Sequence, residues 1–113
     1  MEPIDQPALL VAMDLLWTRF LPEIKERVKI LESAAAAVAA HSLTIEEKDA
    51  ANGAAHKLAG TLGTFNLTRG TVLARELELM YSGGDGPDPT LAHRLVSIAA
   101  ELRALVESRK LHG

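Results

Sequence analysis

Apolar residues recur every three or four positions along most of the chain, a spacing that places them on one face of an α-helix. The pattern predicts a short helix over 7–16 and longer helices over 18–40, 44–64, 68–81 and 89–110. The positions expected to face a common core are Leu21, Ile24, Val28, Leu31, Ala35, Val38, Ala51, Ala55, Leu58, Leu62, Phe65, Leu73, Leu77, Met80, Leu91, Leu95, Ile98, Leu102 and Leu105. Such helices, joined by short loops, predict an all-α fold: an antiparallel up-down four-helix bundle with a short additional N-terminal helix.

Local signals accompany several of the predicted helix starts. The run over 44–47 matches a capping box, in which a threonine hydroxyl and a glutamate carboxylate satisfy backbone N–H groups of the first turn. Asp88, after the glycine-rich linker over 82–87, is a second start signal. Asp5 is expected to cap the short first helix, and Pro22 to lie in the first turn of the second.

The composition agrees with a helical fold and excludes several classes of function. The chain has 113 residues, of which 18 are alanine and 18 are leucine, both good helix formers. This length predicts one domain over 1–113. Because there is no cysteine, disulfides and thiolate sites are excluded, and a reducing, cytoplasmic location is expected. A net charge of −3 and an aromatic share of 4% argue against nucleic-acid binding.

No membrane segment is expected from the sequence. The longest run without a formally charged residue covers 33–45 and includes His41, so it is too short and too polar to span a bilayer. The first ten residues contain acidic but no basic side chains, which is unlike a secretory signal.

The third predicted helix has an unusual outer face around His56. At about 100° per residue, Gly53, Gly60 and Gly63 all lie within about 60° of this histidine around the helix axis. Asn52 lies about 40° from it. The core stripe of the same helix falls on another side. His56 is therefore expected to project into solvent near the middle of a long helix.

The three glycines on this face need an explanation, because each destabilises a helix interior by about 1 kcal/mol relative to alanine. Packing does not obviously explain them, since they share a face with an exposed imidazole. Access explains them better: a blunt partner such as another protein can approach a ring that has no side chains around it. The alternatives are a close helix–helix contact at the glycines and an ordinary surface histidine.

The other three histidines carry weaker signals. His41 lies near a helix C-terminus, where a cation complements the helix dipole, and His93 and His112 have no supporting neighbours. No two histidines have i, i+4 spacing, and there is neither an HExxH motif nor a cysteine. A metal site is therefore not expected.

The run AHKLAGTLGTF over 55–65 resembles the signature of histidine phosphotransfer (HPt) domains, the phosphorelay modules of multistep two-component signalling. The likeness consists of a histidine followed by glycine at i+4, glycine at i+7 and an aromatic residue at i+9, all in a helical context. The continuation VLARELE over 72–78 is similar to the start of the family's next helix. The specific match covers about residues 50–80.

The resemblance implies a phosphocarrier in which His56 accepts a phosphoryl group from an aspartyl phosphate of one receiver domain and passes it to an aspartate of another. It implies that Nε2 is the nucleophile and that Glu78 holds the other ring nitrogen as a donor. An imidazole suits this role because it is mostly neutral at cytoplasmic pH and offers a lone pair. The expected surroundings of the phosphoryl group are Asn52, Gly53, Lys57, Gly60, Gly63, Arg75 and Glu78.

Cofactors and autokinase activity are not expected in the chain itself. No carboxylate cluster accompanies His56 in the sequence, so Mg²⁺ is expected from the partner receiver domain. No nucleotide-binding loop is present, so we expect no autokinase activity and no enzyme in the strict sense.

Two positions depart from the family pattern. Ala59 stands where the family commonly has lysine or arginine, and Lys57, Arg69 or Arg75 are candidates to supply the charge instead. Asn66 stands where glycine often follows the aromatic residue. Because asparagine tolerates left-handed backbone angles, the turn is expected to survive.

The expected partners are response-regulator receiver domains and a hybrid histidine kinase, with the chain itself a monomer. The main alternative is a non-catalytic helical adaptor whose glycine face receives a partner helix. The adaptor hypothesis predicts that His56→Gln leaves partner binding and signalling intact. A dimerisation-and-phosphoacceptor domain of a kinase would instead show a two-helix hairpin followed by an ATPase domain, and the pattern fits neither.

Overall fold

The computed structural model describes residues 6–111 and contains four α-helices and one short 3₁₀ turn. The helices are α1 (Gln6–Ala39), α2 (Ile45–Thr64), α3 (Thr68–Met80) and α4 (Ala92–Ser108), with the 3₁₀ turn over Pro89–Leu91 just before α4. No β-strand occurs within the described residues. The expected all-α class is confirmed.

The four helices form the expected antiparallel up-down bundle. Helix α1 packs against both α2 and α4, and α3 closes the bundle between α2 and α4. Ion pairs tie neighbouring helices together: both Arg103 Nε and Nη2 lie 2.6 Å from the Glu32 carboxylate, joining α4 to α1. The hydrogen bond from Arg103 lowers the pKa of Glu32. The molecule measures 55 × 25 × 20 Å, and α1 runs along its length.

The separate N-terminal helix expected over 7–16 is wrong, because α1 is continuous from Gln6 to Ala39. Pro22 lies inside this helix rather than in a first turn. A proline in a helix interior costs about 3 kcal/mol, so the segment before it needs anchors. Trp17 supplies one, since it is buried in the core, and Asp14 supplies another through a contact of 3.3 Å with Arg109. The expected capping residue, Asp5, lies outside the described residues.

The Arg109 side chain also packs against two aromatic rings of the core. Its guanidinium carbon lies 4.8 Å from the centroid of the Trp17 ring and 5.4 Å from that of Phe65. The two rings meet edge to face, with their centroids 5.1 Å apart. The residue that follows α4 therefore links the first half of α1 to the C-terminal end of α2.

The remaining helix ends follow the predicted signals closely. The Thr44 hydroxyl accepts from the Glu47 backbone N–H at 3.1 Å, and the Glu47 carboxylate accepts from the Thr44 N–H at 2.9 Å, which confirms the capping box. The Asp88 side chain accepts from the Thr90 N–H at 2.8 Å, although the helix it starts begins as a 3₁₀ turn. Asn66 has a φ of 59°, so the left-handed turn after the aromatic residue is present.

Most of the predicted core positions are buried, including every one predicted on α2. Leu91 departs most from the expectation: it is 43% exposed, because it lies in the 3₁₀ turn before the regular period of α4 begins. Leu21, Met80 and Leu105 pack against the core but keep part of their surface exposed. Within residues 6–111, no helix has both the length and the apolar character needed to cross a membrane.

Candidate functional site

His56 lies near the middle of α2 and projects into solvent, with 70% of its side-chain surface exposed. The spacing predicts this orientation, because the buried residues of α2 occupy the opposite side of the helix. The imidazole is accessible to a second molecule without any movement of the bundle.

The glycines around His56 are not required by packing. A Cβ atom added at Gly53 or Gly60 would meet no heavy atom within 4 Å, and one at Gly63 would make an ordinary contact of 3.4 Å with the Thr71 hydroxyl. The alternative that these glycines permit a close helix–helix contact is therefore not supported at Gly53 and Gly60. They leave an open, low surface beside the imidazole.

Glu78 on α3 holds one nitrogen of the His56 ring. Its Oε2 atom lies 2.8 Å from Nδ1, and its side chain is largely covered, with 26% exposed. A carboxylate can only accept a hydrogen bond, so Nδ1 is the donor and carries the ring proton. In a neutral imidazole this leaves the Nε2 lone pair unprotonated and free.

A second bond joins α2 to the same residue of α3. The Asn52 side-chain amide donates to the Glu78 backbone carbonyl at 2.8 Å, in a partly buried position. Asn52, His56 and Glu78 therefore form one hydrogen-bonded group that links the two helices. The Thr71 hydroxyl makes a similar link one turn further on, donating to the Ala59 carbonyl at 3.1 Å.

One known protein family matches most of this chain. The model of the Hpt domain matches residues 15–110. The chain belongs to the Hpt domain family. Hpt domains are phosphocarrier modules of two-component phosphorelays rather than catalysts, and they interact with receiver domains and hybrid kinases.

A curated relative agrees with this assignment. The chain is 30% identical over 107 residues to Protein RcaC of Microchaete diplosiphon. The match takes in 95% of this chain but only 16% of the relative, so the chain corresponds to a small part of that protein. No solved structure gives a significant match.

The structure separates the three cations that are candidates to replace the missing basic residue of the Hpt pattern. Arg69 points away to α4, where its guanidinium binds the Glu101 carboxylate at 2.7 and 3.2 Å and lowers the pKa of Glu101. Lys57 and Arg75 are both exposed, on the two flanks of His56. Neither takes part in the side-chain ion pairs found within residues 6–111.

Lys57 and Arg75 lie beside different helices. Lys57 lies on the side of α1, and Arg75 lies on α3 between Thr71 and Glu78, both of which form hydrogen bonds to α2. Ala59 itself is 1% exposed, so the usual position of the family cation is inside the bundle in this Hpt domain.

A groove between α1 and α2 borders the site and was not predicted. Its volume is about 700 Å³. A groove between two helices depends on how they pack, so the hydrophobic period of either helix alone does not predict it. The lining residues are Pro22, Glu23, Glu26, Arg27, Ile30, Asp49, Ala50, Gly53, Ala54 and Lys57.

No candidate metal centre accompanies the histidine. Among the residues described, 6–111, no group of three or more His, Asp or Glu side chains could hold a metal ion. His41 and His93 are exposed and lie on other parts of the surface, and His112 is outside the described residues.

Proposed function

We propose that His56 carries a phosphoryl group between receiver domains. It accepts the group from the aspartyl phosphate of one receiver and passes it to an aspartate of another. The observation that carries this proposal is an exposed imidazole whose Nδ1 is bound by Glu78 at 2.8 Å, beside two glycines that leave the approach to the ring open.

The chemistry of the first transfer follows from this arrangement. The Nε2 lone pair of His56 attacks phosphorus, an Nε2–P bond forms, and the bond between phosphorus and the aspartyl oxygen breaks. The electron pair of that bond returns to the receiver, which regains its aspartate carboxylate. The ring proton remains on Nδ1, so the phosphorylated ring gains positive charge.

Glu78 is suited to offset this developing charge. Its carboxylate accepts from Nδ1 at 2.8 Å and is partly shielded from water, which strengthens the interaction. The same bond holds the ring in one tautomer and one orientation. In the second transfer an aspartate of the next receiver attacks phosphorus, the Nε2–P bond breaks, and its electron pair returns to Nε2.

Positive charge near the phosphoryl oxygens would come from the flanks of the site. Arg75 is the better placed of the two free cations, because Glu23, Glu26 and Asp49 line the same groove as Lys57. Arg75 lies on α3 between Thr71, which binds the Ala59 carbonyl, and Glu78, which binds His56, and Gly60 leaves open space on α2. Arg69 forms an ion pair with Glu101, so we assign it no role in transfer.

The remaining parts of the reaction belong to the partner. Phosphoryl transfer depends mainly on positioning and charge neutralisation. Mg²⁺ and the acidic pocket around it would come from the receiver domain. Lacking a nucleotide-binding loop, the chain would not phosphorylate itself from ATP. We infer that a receiver docks over the glycine surface and the adjoining groove between α1 and α2, with one copy of this chain.

The test is transfer from a receiver whose phosphoryl group is radiolabelled, in the presence of Mg²⁺. We expect wild-type protein to gain a label that is stable in base and labile in acid, as a phosphohistidine is. His56→Gln should gain none while keeping its fold. His93→Gln, which removes an exposed histidine on α4, should be labelled as wild type is.

Two results would overturn the proposal. One is the absence of label on wild-type protein with every receiver tried. The other is a His56→Gln protein that is labelled normally, or that binds and signals as wild type does, which would support the adaptor alternative.

A further inference from the structure

The hydrogen bond from Asn52 to Glu78 reaches the backbone of the residue that holds the histidine. The Asn52 amide nitrogen lies 2.8 Å from the Glu78 carbonyl oxygen, while the Glu78 carboxylate lies 2.8 Å from Nδ1 of His56. Asn52 and His56 are four residues apart on α2, which is about one helical turn. One residue of α3 is thus held at two points by consecutive turns of α2.

The Glu78 carbonyl depends on this contact. It lies in the last turn of α3, where carbonyl groups lose their partners within the helix. The N–H of Tyr81 donates to the Leu77 carbonyl, and the N–H of Ser82 donates to the Leu79 carbonyl. Neither of these N–H groups donates to the Glu78 carbonyl. The side chain of Asn52 supplies a donor in place of the missing backbone N–H.

We propose that Asn52 is a positioning residue for phosphoryl transfer, acting through Glu78 on His56. By fixing the backbone of Glu78 across the helix interface, it sets the carboxylate at the distance that binds Nδ1. The proposal rests on the proposed function and extends it to a residue that would never touch the phosphoryl group.

The chemistry of the contact requires an amide. Asparagine offers an uncharged N–H donor, whereas aspartate only accepts and would place a carboxylate against the carbonyl oxygen. Asn52→Ala and Asn52→Asp therefore both remove the bond. The second variant keeps the size of the side chain, so the test does not depend on one substitution.

Thr71 offers a matched control on the same pair of helices. Its hydroxyl donates to the Ala59 carbonyl at 3.1 Å, which is also a partly buried bond from a side chain to a backbone carbonyl. Thr71→Val removes that bond with little change in shape and does not involve Glu78. A general loosening of α2 against α3 would affect both sets of variants alike.

The first measurement is the tautomer of His56, read from the ¹⁵N chemical shifts of its ring at a pH where the imidazole is neutral. Wild type and Thr71→Val should hold the proton on Nδ1. Asn52→Ala and Asn52→Asp should shift a clear fraction of it to Nε2. This measurement needs no receiver, so it judges the role of Asn52 even if the proposed function fails.

The second measurement is the initial rate of phosphorylation by phosphoramidate, a small donor that releases ammonia when Nε2 attacks its phosphorus. The Asn52 variants should be slower by about tenfold, the lower end of the loss seen when a group that orients a metal-binding histidine is removed. Thr71→Val should stay close to the wild-type rate. A wild-type tautomer and rate in both Asn52 variants would overturn the proposal, as would an equal loss in Thr71→Val.

Discussion

Glycines occur in two regions of this bundle for opposite physical reasons. At Gly70 in α3, an added Cβ would lie 2.7 Å from Cδ1 of the fully buried Leu62, so glycine lets α3 approach α2 closely. At Gly53 and Gly60, an added Cβ would meet nothing within 4 Å. At Gly70, close packing offsets the low helix propensity of glycine. At Gly53 and Gly60, no packing contact explains the same loss of helix propensity.

The difference separates the structural part of α2 from its functional part. The inner side of the helix is filled by buried alanine and leucine side chains, which hold α2 in the bundle. The outer side is bare, although alanine at Gly53 or Gly60 would stabilise the helix. A surface that forgoes about 1 kcal/mol at each such position is best explained by the access that a partner needs to His56.

Among substitutions at the glycines, a long side chain at Gly60 should have the largest effect on function. Gly60→Gln keeps a good helix former but places a side chain beside the imidazole. We expect transfer from a phosphorylated receiver to fall by about a hundredfold, because a small misplacement of reacting groups costs that much. Phosphoramidate, being small, should still load His56.

The matched control for this substitution is Ala100→Gln on the exposed side of α4. It adds a similar side chain away from the site and should leave both rates unchanged. If Gly60→Gln accepts a phosphoryl group from the receiver at the wild-type rate, the open glycines are not needed for a partner to reach His56.

A valine at Gly70 should have the largest effect on stability. Its side chain would overlap Leu62 in the packed interface, so we expect the free energy of unfolding to fall by about 2 to 3 kcal/mol in a denaturant titration. The same substitution at Gly60 should change it little, because valine is only slightly better than glycine in a helix. Equal effects at the two positions would remove the distinction between the two regions.

Alanine at the open glycines should have the smallest effect, and it should be stabilising. Gly53→Ala and Gly60→Ala should each raise the free energy of unfolding by up to about 1 kcal/mol. The two gains should add, because the positions are two turns apart with no shared contact. A loss of stability from either substitution would mean that the outer side of α2 is packed after all.

The parts of the fold and site that depend on local spacing could be predicted from the sequence. Helical periodicity predicted the four helices of the bundle and the buried side of α2, and the position of His56 on that period predicted its exposure. The predicted split of α1 is wrong: Pro22 was expected in the first turn of a second helix and instead lies inside one continuous helix. The segment before Pro22 is held by the buried Trp17 and by Asp14, which both contact Arg109 just after α4, and these distant contacts leave no local signal in the sequence.

The parts that the sequence analysis missed depend on how two helices lie against each other. The bond from Asn52 to the Glu78 carbonyl exists only because α2 and α3 meet in one register, and the groove beside Lys57 exists only between α1 and α2. Glu78 was a candidate through family resemblance alone, since a glutamate on a helix surface carries no local signal of its partner.

Locating the phosphoryl group after transfer from a phosphorylated receiver would show whether His56 is the acceptor. Mass spectrometry can identify the residue, and ³¹P–¹H correlation spectra can identify the ring nitrogen. We expect the group on Nε2 of His56, with the proton of Nδ1 still shared with Glu78. A phosphoryl group on Nδ1, or on any other residue, would contradict the account.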